Sequence, residues 1–241
     1  MDNSQFSINA LSSSTCSIKK FSGADEIIEI PATIETDGNQ LQVVEIGASA
    51  FKRLKVKSVV IPEGVTLIRD DAFSGCDQLE SVKFPSTLVE IKDSAFYGCF
   101  KLDGIVLPER VAALGTHCFE YCKALSAIAL PGSLKVVGSK AFANCESMKM
   151  LTIAEGVEEI KDGAFNECQI TEVTLPSSLK KVEKRAFNYC SSLTTVTLTE
   201  EVKTIVDSNA FNGCPSVTFN IGAAPAQSVP EAIAPVAETA P

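Results

Sequence analysis

A phenylalanine returns along this chain at Phe51, Phe73, Phe96, Phe119, Phe142, Phe165, Phe187 and Phe211, with gaps of 22, 23, 23, 23, 23, 22 and 24 residues. Seven of the eight are followed three residues later by a cysteine: Cys76, Cys99, Cys122, Cys145, Cys168, Cys190 and Cys214. A fixed period of roughly 20 to 50 residues marks a solenoid, in which each unit is one coil stacked on the next. A rod of equivalent coils offers a broad surface more readily than a pocket.

Aligned on Phe, the unit reads A-F-x-x-C-x-x-L-x-x-V-x-L-P-x-x-L-x-x-I-x-x-x, with any aliphatic residue accepted in the L, V and I columns. The clearest unit holds Phe73, Cys76, Leu79, Val82, Phe84, Pro85, Leu88 and Ile91, and these columns are expected to face inward. Alternation across Val82-Lys83-Phe84, Ile105-Val106-Leu107 and Val173-Thr174-Leu175 predicts one short strand per coil, each adding to a parallel sheet. Proline then ends the strand, because it cannot donate to the ladder and fixes its own φ. It stands at Pro62, Pro85, Pro108, Pro131 and Pro176, with Ala154 and Thr199 in its place elsewhere.

Past the proline, Leu88-Val89-Glu90-Ile91, Val157-Glu158-Glu159-Ile160 and Leu179-Lys180-Lys181-Val182 bury both ends and expose the middle. They read as a second extended or turn segment on another side of the coil. The stretch from Asp93 to Tyr97 and its equivalents then reads as a helical turn that drops Phe into the interior. The period lies in the window of about 20 to 29 residues typical of leucine-rich repeats. The expected fold is therefore an α/β-type repeat solenoid: a right-handed leucine-rich-repeat coil with a short parallel β-sheet and about eight repeats of 23 residues. No coil stands alone. Five or six buried side chains at about 1.5 to 3 kcal/mol each do not offset about 1 to 2 kcal/mol of backbone entropy per residue, so stability has to come from stacking.

Both ends of such a stack need covering. Residues 1–46 read as an N-terminal cap and degenerate repeat: Ile27-Ile28-Glu29-Ile30-Pro31 repeats the strand-then-proline pattern, Val43-Val44-Glu45-Ile46 repeats the second segment, and Asp37-Gly38-Asn39 turns between them. Residues 47–221 form the repeat region, whose first unit carries Leu54 in place of cysteine and whose last strand holds Val217, Phe219 and Ile221. Residues 222–241 are Ala- and Pro-rich without amphipathic period and read as a disordered tail or stalk. Exposed sheet edges at the ends of a rod are able to pair between chains.

The 21 basic residues are outweighed by 30 acidic ones, a formal charge of -9. A nucleic-acid partner, or an anionic membrane, calls for a basic face and is not expected. Membrane insertion is not expected either, since no stretch approaches the roughly 18 apolar residues a spanning helix needs. The start, MDNSQFSINALSSSTCS, lacks the basic and apolar regions of a secretory leader.

Of the nine cysteines, seven hold one equivalent position per coil and so point the same way, which suits buried small hydrophobes better than bridges. Cys118 takes the Ala position before Phe119 and reads the same way, while Cys16, outside the period, is the thiol expected to be reactive.

Residues 47–221 resemble the BspA-like class of leucine-rich repeats, also described as the Treponema pallidum type. The resemblance rests on Ala95-Phe96-Tyr97-Gly98-Cys99 and on Leu102-Asp103-Gly104-Ile105-Val106-Leu107-Pro108, and the pattern recurs at least seven times. An ordinary leucine-rich repeat has Asn or Cys after its strand, where Pro follows here. The resemblance implies adhesion to host proteins or to other cells, since members occur on bacterial surfaces and in protists such as Trichomonas and Entamoeba. It also implies a cell-surface or extracellular location, against which the missing leader and membrane segment point to the cytoplasm.

Catalysis is not expected. A Ser/His/Asp or Cys/His arrangement could be built only on His117, the single histidine. It occupies the turn position that other coils fill with Ser94, Lys140, Gly163 and Arg185, and so reads as solvent-facing. Gly75, Gly98 and Gly213 read as turn glycines. No C-x-x-C pair or second histidine supports a metal site, and no cofactor is expected.

What remains is the outward face of the strands. Alternation assigns to it Val60, Lys83, Val106, Ala127, Ala129, Met150, Thr152, Thr174 and Thr197, small and apolar in the middle coils and threonine-rich toward the C-terminus. A shallow apolar strip suits docking of another protein; small and β-branched residues are also simply good strand formers. The reading is a non-enzymatic protein-binding solenoid acting in adhesion or host contact, with an intracellular interaction scaffold as the alternative and the protein ligand unidentified.

Overall fold

The computed structural model describes residues 3–222. The chain winds as a parallel β-solenoid of about nine turns. Among the described residues, helix is limited to the 3-10 segment Asn3–Gln5 and the short α-helix Glu200–Thr204, so the coil is more purely β than the α/β expectation.

Most coils contribute two strands rather than one. The strands before the proline are Ile27–Glu29, Ser58–Val60 and Ser81–Lys83 in one ladder, Ala127–Leu130 and Met150–Ile153 in a second, and Glu172–Thr174, Thr195–Leu198 and Thr218–Ile221 in a third. The segments past the proline form the longer ladder. From Asn39–Ile46 it runs in parallel through Leu67–Ile68, Glu90–Ile91, Ala113–Leu114, Val136–Val137, Glu159–Ile160 and Lys181–Val182. The strand expected at Ile105-Val106-Leu107 does not form: Gly104 takes φ +60, and the first ladder is broken at that coil.

The turn after the strand explains the tolerance of proline's position. The carbonyls of Pro62, Pro85, Pro108, Pro131 and Pro176 each accept from the backbone N–H three residues on, and Ala154 does the same toward Val157. Only a carbonyl is required there, and every residue has one. Thr199 departs further: its hydroxyl accepts from the Val202 N–H and its carbonyl from the Lys203 N–H, which caps and starts the helix Glu200–Thr204 that the repeat pattern did not predict.

The expected helical turn around each Phe is corrected. From Phe51 to Phe187 the residues two before and two after Phe have positive φ, as in Ser94 (+55) and Gly98 (+69), His117 (+57) and Tyr121 (+62), and Arg185 (+58) and Tyr189 (+55); at Phe211 only Gly213, on the far side, does. A left-handed residue on either side prevents a helix from propagating. The result is a pair of tight turns whose N–H groups point along the rod: Ser94, Phe96 and Gly98 donate to the Thr116, Cys118 and Glu120 carbonyls of the next coil at 2.8 to 2.9 Å. This is a third hydrogen-bonded side, made without strands. Because many residue types tolerate the left-handed conformation at modest cost, the position varies from coil to coil, and its variability is no sign of free exposure.

Down the centre, the rings of Phe21, Phe51, Phe73, Phe96, Phe119, Phe142, Phe165, Phe187 and Phe211 stack with centroids 4.8 to 5.6 Å apart and planes within 19°. The cysteines are more than small fillers. Each Sγ of the seven in the repeat column donates to the carbonyl of the Phe one coil back, from Cys76 to Phe51 at 2.9 Å through Cys122 to Phe96 at 3.3 Å to Cys214 to Phe187 at 3.1 Å. A thiol fills the volume of a small hydrophobe and still supplies one weak donor. That combination accounts for cysteine over alanine or valine in this column.

At the N-terminal end the expected turn forms, with Asp37 and Gly38 at φ +51 and +76, but it joins a hairpin of Thr33–Thr36 with Asn39–Ile46 that the repeat pattern did not predict. An antiparallel pair that the repeat pattern does not reveal, Phe6–Ala10 with Thr15–Phe21, continues the long ladder and covers the core, with Phe6 packed against Phe21. Cys16 lies within it, fully buried, and burial raises its thiol pKa, so it is not the reactive thiol its isolation in sequence suggested. Phe219 and Ile221 lie in the final strand as expected but are exposed. The tail expectation for 222–241 falls, beyond Gly222, outside the described residues.

Candidate interaction surface

The outward columns of the first face are set by register. Val60 lies beside Lys83, Ala127 beside Met150, Ala129 beside Thr152, and Thr174 beside Thr197. Neighbours in such a column stand about 4.8 Å apart. The nine residues named from sequence therefore lie in two files along one face, with Val106 in the unpaired coil between the first and second ladder pieces. This break and a second one, between Met150–Ile153 and Glu172–Thr174, divide the strip into three platforms rather than one continuous sheet.

Exposure differs along the strip. Val106 and Met150 are 41% and 40% exposed and Lys83 is exposed, whereas Val60, Ala127, Ala129, Thr152, Thr174 and Thr197 are half-buried by their column neighbours. Gly104 beside Val106 has open space where a Cβ would stand. Among the nine, the most accessible apolar side chains are thus Val106 and Met150.

The margin of the strip is polar and already paired between coils. Asp103 accepts from the Ser126 N–H and hydroxyl at 2.9 and 2.8 Å, Lys55 bridges to Asp77 at 2.7 Å, Lys57 to Glu26 at 2.6 Å and Lys123 to Glu146 at 2.7 Å. The Glu26 partnership raises the Lys57 pKa, and the hydrogen bond from Lys55 lowers that of Asp77. These charges hold adjacent coils together. Exposed pairs of this kind contribute little stability singly, but they leave the apolar centre as the chemically unsatisfied part of the face.

His117 is half-exposed rather than fully solvent-facing: Nδ1 pairs with Glu120 Oε2 at 2.5 Å, and Glu120 is buried. No activated nucleophile stands next to it in the chain, because Cys118 is fully buried and desolvation pushes its thiol well up, the opposite of what nucleophilic catalysis requires. Among the described residues no group of three or more His, Cys, Asp or Glu side chains could hold a metal ion, and no helix is long and apolar enough to cross a membrane. A wide-open cleft of about 470 Å³ lies between residues 181–184 and 204–207, where the short helix replaces the usual turn.

A second group of exposed aromatics escaped the alternation argument. Tyr97, Phe100 and Tyr189 are exposed on the turn edge, and Tyr97 meets Tyr121 edge-on at 5.6 Å. They occupy variable positions around the Phe turn, and their only sequence signal was a large aromatic residue outside every inward column.

The chain matches no curated protein. Among solved structures it is similar to the leucine-rich repeat protein TpLRR of T. pallidum, with 26% identity, a TM-score of 0.75, and coverage of 88% of this chain and 99% of that one. A leucine-rich repeat protein from Bacteroides ovatus is 21% identical over 90% of this chain and 70% of its own, with a TM-score of 0.63. The pneumococcal vaccine antigen PcpA is 20% identical over 85% of this chain and 48% of its own, with a TM-score of 0.50. The last two show a shared fold alone. The BspA type leucine rich repeat region matches residues 44–168 and 113–229, in six copies, and the Phe spine and proline-ended strands described above are that repeat: the chain belongs to the BspA-type leucine-rich repeat family.

Proposed function

We propose that this chain is a non-enzymatic protein-binding solenoid that acts in adhesion to a host or neighbouring cell, through the strip running from Val60 to Thr197. The observation that carries the reading is the contrast within one face: Val106 stands exposed in the unpaired coil and Met150 on the neighbouring ladder, while the charges at the margin pair with one another. A rigid, partly apolar platform loses little conformational entropy on docking, which favours recognition of another protein's surface. The test is the combined variant Val106→Glu, Ala129→Glu and Met150→Glu, compared with the parent in binding to immobilised host surface proteins and to intact cells. Loss of binding with an unchanged circular dichroism spectrum and thermal midpoint is expected. Undiminished binding by the folded variant would remove the strip from the mechanism.

A second reading, an interaction scaffold inside the cell, draws on the thiols. Seven of them donate hydrogen bonds that only a reduced cysteine can make, a state that the cytosol maintains. Staining of a tagged chain in intact against permeabilised cells separates the two: signal confined to permeabilised cells favours the scaffold.

A further inference from the structure

The two ends of the stack are unlike. At the N-terminal end the strands Phe6–Ala10 and Thr15–Phe21 cover the core, and Phe6 and Phe21 are buried. At the other end the last described strand, Thr218–Ile221, places Phe219 beside Val196 and Ile221 beside Leu198. Val196 and Leu198 are buried, but Phe219 and Ile221, in the same inward columns, are 48% and 43% exposed. Phe211 and Val217 below them are only partly buried. Among the described residues, nothing covers the upper face of this coil, a cross-section of the core.

The edge of this coil is open in its backbone as well. The N–H groups of Thr218 and Gly222 donate inward to the Thr194 and Leu198 carbonyls. By the alternation of a parallel ladder, Phe219 and Ile221 then turn their N–H and C=O groups to the open side. Proteins blunt such edges with charged residues, proline or a bulge. Thr-Phe-Asn-Ile has none of these. The opposite edge of the same face is blunted: Ile27–Glu29 ends in Glu29 and follows Asp25 and Glu26.

We propose that the C-terminal end is a self-association surface that takes the same end of a second copy of this chain, the two Thr218–Ile221 strands pairing antiparallel about a two-fold axis. The far end of the rod selects this occupant. Head-to-tail stacking would set the open face on a core already closed by Phe6–Ala10 and Thr15–Phe21 and would desolvate the carboxylates of Asp25 and Glu29, whereas two Thr218–Ile221 strands bring no charge to bury. Association therefore stops at two copies instead of growing into a filament. Pairing satisfies the outward groups of Phe219 and Ile221 and shields the four exposed or half-exposed apolar side chains. One coil's cross-section falls at the small end of specific interfaces, so the dimer is micromolar rather than nanomolar. This surface is separate from the adhesive strip and stands or falls independently of it.

Sedimentation velocity on the full chain, from about 1 to 300 µM, tests the proposal, with dimer the only species expected to accumulate at high concentration. Ile221→Pro removes an outward donor but no inward one, and Phe219→Lys places like charges face to face. Each should weaken the dimer at least about tenfold with unchanged circular dichroism, while Glu29→Lys at the far edge should change nothing. A monomer at every concentration would overturn the idea, as would growth beyond two copies, sensitivity to Glu29→Lys, or a dimer indifferent to both C-terminal substitutions. A chain ended at Gly222 that dimerises when the full chain does not would assign the face to residues 223–241 and equally overturn it.

Discussion

Truncating one ring of the central stack should cost far more in the middle of the rod than at its end. Phe119 is fully buried and stacks on Phe96 at 5.1 Å and on Phe142 at 5.3 Å, with planes within 5° of both. Its backbone bonds, from its N–H to the Ala141 carbonyl and from Cys145 Sγ to its own carbonyl, survive the substitution Phe119→Ala. The loss is therefore the ring: about 3 to 5 kcal/mol for a buried Phe→Ala truncation with its cavity. The two lost ring contacts, each about 0.5 to 1.5 kcal/mol beyond burial, place it toward the upper end of that range. Phe211→Ala is the control. That ring is half-buried, has one stacked neighbour, Phe187 at 5.1 Å, and touches Phe219 edge-on at 5.4 Å, so about 1 to 2 kcal/mol is expected from roughly half the burial. In a stack held by nearest-neighbour interfaces, the interior truncation weakens two junctions and the terminal one disturbs a single junction. Urea unfolding followed by far-ultraviolet circular dichroism gives both free energies. A lowered m-value for Phe119→Ala alone would further show the rod splitting into two cooperative units. If Phe119→Ala and Phe211→Ala cost the same, or the former less than about 2 kcal/mol, the stack does not couple the coils.

The carboxylates that bridge coils give the rod an acid limb. Glu63 is held below the usual range by the Ser86 N–H and hydroxyl, and Asp162 by Arg185; for Glu155, burial works the other way but the Ser177 and Ser178 donors prevail. A depressed folded pKa favours the native state above the unfolded carboxylate value, about 4.3 for Glu, and that contribution is lost as pH falls through the folded value. The thermal midpoint should hold steady from neutral pH to about 5 and fall below about 4; a double variant Glu63→Gln, Glu155→Gln that keeps the same acid slope would refute the assignment. The thiols make a separate test. Burial raises Cys99, Cys118, Cys122 and Cys168 well above the ordinary thiol, raises Cys145, and lifts Cys76 to about 11. A disulfide reagent at pH 8 should leave the native cysteines, Cys16 included, unmodified over minutes, with Cys214, 8% exposed, the first to react. All nine should titrate in urea; rapid native reaction of several would sink the buried-thiol reading.

Much of this architecture was legible in the order of residues. Phe51 to Phe211, the cysteine three residues on and the proline after the strand fix the period, the inward columns and the register, because a coil that cannot bury its own core has one way to stack. The degenerate unit at Ile28 to Pro31 and the Asp37-Gly38 turn were readable for the same reason. Other features depend on where backbone groups meet across coils, which no single repeat encodes. The thiol-to-carbonyl bonds, the turn bonds of Ser94 and Gly98 and the second ladder all join residues 22 to 27 apart in sequence. The break at Gly104 and the helix that begins at Thr199 are local departures whose effect appears only when neighbouring coils fail to pair. The exposed ground at Val106 and Met150, and the open face at Phe219 and Ile221, exist because of what packs beside a residue rather than what the residue is. Side-chain pattern determined which way each residue points; solvent access was decided by the coil above it.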